Sequence, residues 1–324
     1  MKLPRLGPTS LLKILPLLML AFVVVGALAP EPAPATMQSV EMEVIPVQGQ
    51  VYMLQTPSAG GNVGVLPGPE GVLLVDDQVP GLVESVIQGV RAITDEEIRF
   101  VLNTHVHIDH QGGNAALYDM GATLVAHDNT RLRMLERLRI PRAGGRFMPA
   151  PPERARPLLT FDNTMTFHMN GEEVRAFLVP PSHTDGDVFV YFVDSDVLHT
   201  GDVFRTNMYP IIDVYNGGTV AGLIEATRIA IGMSGPNTKI IPGHGFGFTD
   251  RDGLVEVLDM MVDIRETIID LIGEGMHLEE VLAANPTAVY DAQWGQEPGW
   301  NQNDLVPIIY HEVGGGRTVS AGRN

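Results

Sequence analysis

Apolar residues recur along this chain at two spacings, and the spacing switches repeatedly. Short runs such as "VYMLQ" (51–55), "GVLLVDD" (71–77) and "IRFVLNT" (98–104) are bounded by Gly, Pro, Asn or Asp and read as strands. "PSAGGN" is the turn after the first of them. Between the second and third, Leu82, Val83, Val86, Ile87, Val90 and Ile93 fall on one face of a helix over Pro80–Ile93. A short helix over Gln111–Met120 and a strand "ATLVAH" follow. The alternation predicts an α/β layered fold.

Arg139–Thr160 interrupts this rhythm with five prolines and no periodicity, and reads as a long loop. The alternation then resumes with strands "RAFLVP", "VFVYFV", "DVLHTGD" and "TKIIPGHG" and helices over Thr219–Met233 and Asp250–Ile272. In the last, Leu254, Leu258, Met261, Ile264, Ile268 and Leu271 keep helical spacing. Thr249 or Asp250 can cap its start and Gly273 its end. Beyond Tyr290 the pattern fades, so residues 291–324 are expected to be a C-terminal extension, mobile from Gly314.

The N-terminus changes the picture of where the chain works. Lys2, Arg5 and Lys13 accompany the apolar "LLKILPLLMLAFVVVGALA", and "APA" at Ala33–Ala35 is a small-x-small cleavage site. Residues 1–35 read as a signal peptide, implying a periplasmic or secreted protein; the alternative is an uncleaved N-terminal membrane anchor. Without Lys2, Arg5, Lys13 and Glu31, 18 basic and 38 acidic residues remain, a net of −20 against −18 for the whole chain. That charge argues against nucleic acid or an anionic membrane as partner. There is no cysteine, so disulfides, thiolate ligands and thiol nucleophiles are excluded. With 324 residues, 44% of them hydrophobic, residues 36–290 suffice for a single large domain.

The chemistry gathers in "NTHVHIDHQGGN" (103–114), where His105, His107, Asp109 and His110 follow a buried strand directly. Carboxylates and neutral imidazoles are natural ligands of zinc and similar ions. His105 and His107, two apart on an extended turn, can point the same way. His183 in "PSHTDGD", Asp202 in "LHTGD" and His244 in "IPGHG" each stand at a strand end beside or close to glycine, where active-site loops gather. His199 lies on the strand before Asp202 and could support it. The other histidines, His127, His168, His277 and His311, read as structural or exposed.

The order His-x-His-x-Asp-His, lone His, lone Asp, lone His resembles the metallo-β-lactamase fold superfamily, over about Val44–Leu271. The resemblance implies a four-layer αβ/βα sandwich with two divalent metal ions, zinc above all, at one edge. It implies His105, His107 and His183 on the first ion, Asp109, His110 and His244 on the second, and Asp202 bridging them. A hydroxide shared by the ions would attack an ester, lactone, amide or thioester carbonyl, and Asp109 would orient it or handle its proton as a catalytic residue. Asp202 stands where one lactamase subclass has cysteine, and His110 where it commonly has arginine. Both departures favour thioesterase-like and lactonase-like members over β-lactamases. β-Lactamase activity is therefore the runner-up, and a single-iron redox member, held by His105, His183 and Asp202, and a non-enzymatic metal-binding protein are the remaining alternatives.

The substrate is expected to be a small molecule. Arg131–Arg156 holds eight arginines against Glu136 and Glu153. This basic stretch reads either as a solvated surface paired with acidic neighbours or as a rim for an anionic substrate, with Arg142 and Arg146 as contacts. Asn207 and Tyr209, in "FRTNMYPIIDVYNGG" after Asp202, are the polar pocket candidates. The hairpin "QTPSAGGNVGV" is a second lid candidate, from which Met53, Leu54 and Val63 would reach the substrate.

Overall fold

A computed structural model describes residues 40–57, 60–141 and 145–314. The expected signal peptide, Arg142 and the tail from residue 315 lie outside the described residues. Seven strands form one sheet. In chain order they are β1 (Glu43–Gln48), β2 (Val51–Gln55), β3 (Val63–Leu66), β4 (Val72–Val75), β5 (Ile98–Leu102), β6 (Thr123–His127) and β9 (Leu159–Phe161). β1 to β4 form an antiparallel meander; β4, β5, β6 and β9 are parallel. The second sheet has five strands: β10 (Thr164–Met169), β11 (Glu172–Leu178), β12 (Val188–Phe192), β13 (Val197–His199) and β14 (Lys239–Ile241), with only β13 and β14 parallel.

Strand alternation dictates the layering. In β4, Leu73 and Val75 face one way, joining Val188, Val190 and Phe192 of β12 in a core between the two sheets. Val72 and Leu74 face the other way, against Val86 and Val90 of α1 (Val83–Arg91) and Leu117 of α3 (Asn114–Asp119). On the far side, Phe189 and Leu198 meet α5 (Val220–Met233) and α6 (Arg251–Gly273). The result is the four-layer αβ/βα sandwich. Asp250 caps α6, accepting from the Asp252 amide at 3.0 Å. No helix among the described residues is long and apolar enough to cross a membrane.

Strands β1, β9 and β10 have no counterpart in the sequence expectation, and three further stretches differ from it. The predicted helix over Gln111–Met120 is two pieces, α2 (Ile108–Gln111) and α3, with Gly112 and Gly113 between them. Within Arg139–Thr160 the chain makes a small hairpin, β7 (Leu138–Arg139) with β8 (Phe147–Met148). Side-chain contacts hold it: Arg137 lies 4.4 Å from the centre of the Phe147 ring and Arg139 3.8 Å from that of Tyr215. Finally, the chain beyond Tyr290 forms α8 (Asp291–Trp294) and α9 (Gln302–Glu312). Trp294, Trp300 and Ile309 are buried in the same core as α5 and α6, and Glu312 accepts the Val220 and Ala221 amides at the start of α5. Pro307 inside α9 breaks the helical signal in the sequence without breaking the helix.

Candidate metal centre

The carboxyl ends of β5, β11, β13 and β14 converge at one edge, where ligand-bearing loops of open α/β sheets lie. β5 leads into His105 and His107, with Asp109 and His110 on the single turn of α2; β11 leads to His183, β13 to Asp202 and β14 to His244. The structure brings all seven residues together. Three donor groups each lie within 4.8 Å internally: His105, His107 and His183; His105, His110 and Asp202; and Asp109, His110 and His244. Asp202 stands between the halves, its carboxylate 3.1 Å from His110 Nε2, 3.3 Å from His244 Nε2 and 3.7 Å from His183 Nε2. Gly243 makes this approach feasible, because a Cβ there would lie 2.1 Å from Asp202 Oδ1.

Hydrogen bonds on the outer nitrogens orient the rings. His183 Nδ1 is 2.7 Å from the Ile211 carbonyl, so it carries the proton and leaves Nε2 as a lone pair. His107 Nε2 is 2.7 Å from Asp213, which leaves Nδ1 as a lone pair. Those two nitrogens face each other at 2.8 Å. Two lone pairs at that distance repel unless a proton or a metal cation lies between them; burial opposes a proton on His107 while Asp213 raises its affinity for one, and a metal ion would take that proton's place. His110 repeats the pattern: Nδ1 is 2.8 Å from Asp76, and Nε2 faces His244 Nε2 at 3.1 Å. His105 Nε2 and Asp202 Oδ1 are buried and make no hydrogen bond. The donor set therefore fits divalent cations of the zinc type, with orienting partners on the outer nitrogens as metal-binding histidines require.

Electrostatics agrees. Burial, reinforced by the neighbouring histidines, drives His105 well below the usual imidazole range and His183 down to about 4, so both are neutral and available as ligands. Burial opposes charge on His110, yet Asp202, Asp76 and Asp109 raise its proton affinity well above normal. The same negative field would attract a metal. Burial likewise opposes ionisation of Asp202, but His244 and His110 hold it well below the carboxylate range.

The orienting residues Asp76, Asp213 and Thr104 are absent from the sequence reading. Asp76 directly follows β4 in a left-handed conformation (φ 67°), accepting from the Thr104 amide (2.7 Å) and hydroxyl (2.8 Å) as well as facing His110. "VDD" at a strand end was its only trace. His199 does not touch Asp202 through its ring; its Nδ1 accepts from the Gly201 amide at 3.2 Å and so steadies the turn carrying Asp202.

Other expected contacts fall elsewhere. Tyr209 is fully buried, its hydroxyl donating to Asp291 at 2.9 Å, and Asn207 is exposed beside Gln293. From that stretch it is Arg205 and Ile211 that line the metal pocket. Met53, Leu54 and Val63 are core residues, because the early hairpin turns its apolar side chains inward. Thr56, Pro57, Gly60 and Asn62 instead line the outer mouth, a cavity of about 570 Å³ that also includes Asp109, His244 and exposed Arg146. Ile140, Pro141 and Met148 of the arginine-rich hairpin wall the metal pocket itself.

Comparison with known proteins gives a consistent answer. The fold is similar to a metallo-beta-lactamase from Pontibacter korlensis, at 17% identity and TM-score 0.56, over 69% of this chain and 100% of that one. It is similar to the DIM-1 metallo-beta-lactamase at 20% and 0.53, over 68% and 97%. The sec-alkylsulfatase Pisa1 from Pseudomonas sp. matches at 15% and 0.57 over 84% of this chain, which spans 50% of that longer one. The profile of the metallo-beta-lactamase superfamily matches residues 58–269, and with that match over most of its length this chain belongs to the metallo-beta-lactamase superfamily.

Proposed function

We propose that this protein is an exported hydrolase that holds two zinc ions and cleaves an ester, lactone, amide or thioester bond. The carrying observation is the pair of donor groups, His105–His107–His183 and Asp109–His110–His244, with the Asp202 carboxylate between them. Six terminal ligands and one shared carboxylate suit two ions better than one. Bound there, the ions would supply a water acidic enough to attack at neutral pH and a Lewis acid for the carbonyl.

The chain's own residues have distinct tasks in this reading. Asp76, Asp213 and the Ile211 carbonyl fix ring orientation and tautomer. Asp109 is the proton-handling group. Its side chain is 27% exposed while the ligand side chains it faces, His110, Asp202 and His244, are 10% exposed or less, so it is the most accessible of the four to entering water and substrate. Arg146 is exposed at the mouth and would attract a carboxylate-bearing substrate. The signal-peptide pattern of residues 1–35 supports action in the periplasm or outside the cell.

Elemental analysis of protein purified without added metal, followed by a panel of esters, lactones, thioesters and β-lactams, tests the reading. Two zinc per chain and chelator-sensitive hydrolysis are expected. One iron without zinc, or fully zinc-loaded protein inert across the panel, would overturn it.

A further inference from the structure

Behind the metal pocket lies another cavity, of about 290 Å³, and Ile108 and Met148 line both. Val106, Ile108 and Ala115 form one side, from the ligand loop and α3; Met134, Met148 and Pro151 come from the arginine-rich segment opposite. Of the charged residues there, Arg133 is engaged by Asp185 (2.7 and 2.5 Å) and Glu136 is exposed to solvent. The remainder of the lining is almost entirely hydrocarbon and thioether, with Gln111 as the one uncharged polar side chain.

We propose that this cavity takes the aliphatic chain of the substrate. The bond to be cleaved lies among His107, Asp109, His183 and His244, and the chain passes between Ile108 and Met148. Three features argue for it. The lining offers almost no partner to a polar group, which would be penalised there, while a chain gains by leaving water. At about 30 Å³ for a water-sized group, 290 Å³ admits on the order of eight to ten methylene-sized units. Met148 is half-buried and unbranched, and its flexible thioether can yield to a passing chain. The substrate class is therefore amphiphilic: a hydrolysable carbonyl head with a medium-length alkyl or acyl tail.

The inference rests on the hydrolase reading, and two measurements separate its failure from that of the reading. The first is hydrolysis of straight-chain 4-nitrophenyl esters, from acetate to decanoate, below their aggregation limits. kcat/KM should rise by up to about fourfold per methylene, then level off once the cavity is full. The second is binding of straight-chain fatty acids, hexanoate to dodecanoate, to the zinc-loaded protein by calorimetry, which needs no turnover. Kd should fall by a similar factor per methylene. Ala115→Phe on α3 and Ala150→Phe in the loop, which both fill the cavity, should flatten the chain-length slope in either experiment; the slope, not the absolute rate, is the readout. Binding with this slope but no hydrolysis would keep the cavity assignment and sink the hydrolase. Hydrolysis with a flat slope, or a slope that both filled variants retain, would overturn the cavity assignment and leave the hydrolase standing.

Discussion

Replacing Glu297 tests whether the C-terminal extension is part of the site. Glu297 lies beyond the superfamily match at residues 58–269, yet its carboxylate grips Arg205 with both oxygens, at 2.7 and 2.9 Å. The two side chains are only 1% and 9% exposed, and Arg205 Nε is 3.9 Å from Asp202 Oδ2. Opposite charges 4 Å apart interact by about 4 kcal/mol at an effective dielectric of 20, and removing one partner of a buried pair costs about 3–5 kcal/mol. In a domain of this size 1 kcal/mol moves Tm by about 2–4 °C, so Glu297→Ala should lower Tm by roughly 10 °C. Glu297→Gln, which keeps part of the hydrogen bonding, should cost about half as much. The left-over guanidinium charge would turn toward Asp202 and compete with metal, weakening zinc affinity by about tenfold or more, as loss of a supporting partner does elsewhere. Scanning calorimetry and competition against a zinc chelator measure both effects. Glu297→Ala that melts within 2 °C of the wild type, an allowance of about 1 kcal/mol, and holds zinc equally well would refute the argument. A replacement of both residues, Arg205→Met with Glu297→Leu, should be more stable than Glu297→Ala alone, since no buried charge is then stranded.

Three further outcomes follow from the same contacts. Asp213→Asn can present an amide N–H to His107 Nε2, forcing the proton onto Nδ1, the nitrogen that faces His183; zinc affinity should drop by about 10–100-fold in chelator competition, and unchanged affinity would remove Asp213 from the support of the site. Asp187 accepts from Ser182 and Thr184 beside His183, and burial raises its pKa to about 6. Its contribution to stability is complete below about pH 4 and is lost as pH rises through about 6, so the wild type's advantage over Asp187→Asn in urea unfolding should shrink by roughly 1 kcal/mol between about pH 5 and pH 7.5; a growing advantage would contradict the sign. For an anionic substrate, added salt should raise KM more than it lowers kcat, and Arg146→Gln should remove most of that dependence; a salt response identical in the variant would take Arg146 out of substrate capture.

How much of this was legible in the sequence follows from which interactions leave a periodic trace. Most strands of the two sheets and the helices α1, α5 and α6 bury one or both faces, so their apolar spacing carries their positions; β4 and α6 are read almost to the residue. β1, β9 and β10 escaped because they are edge strands with few buried residues; in β10 exposed residues alternate with half-buried ones and Met169 alone is buried. α8 and α9 escaped for another reason. Their helical signal is cut by Pro307 and by Gly295 and Gly299, while their burial depends on Trp294 and Trp300 finding a core built by α5 and α6 far away in the chain. A single window of sequence contains no information about that partner.

The candidate site divides along the same line. The seven ligand-type residues were visible because a histidine or aspartate at a glycine-flanked strand end is chemically conspicuous, and their order in the chain carried the rest. Substrate-side residues were chosen from their nearness to Asp202 in sequence, and that criterion fails in three dimensions: two residues on from the 3-10 turn at Gly201–Val203 comes Arg205, which reaches back toward the carboxylate, while Tyr209 continues into the hydrophobic core. Asp76 and Asp213 are harder still. An aspartate in "VDDQ" or "IIDVY" looks like any turn residue, and its role exists only because a histidine ring nitrogen lies 2.7–2.8 Å away after folding. Asp77 shows the other side of that point. It neighbours Asp76, is as deeply buried, and burial raises its carboxyl well above the usual range, but it accepts from the Gly113 amide instead of a histidine. One residue of shift along "DD" separates a carboxylate that orients a metal-site ring from one that anchors the start of α3, and only the fold decides which is which.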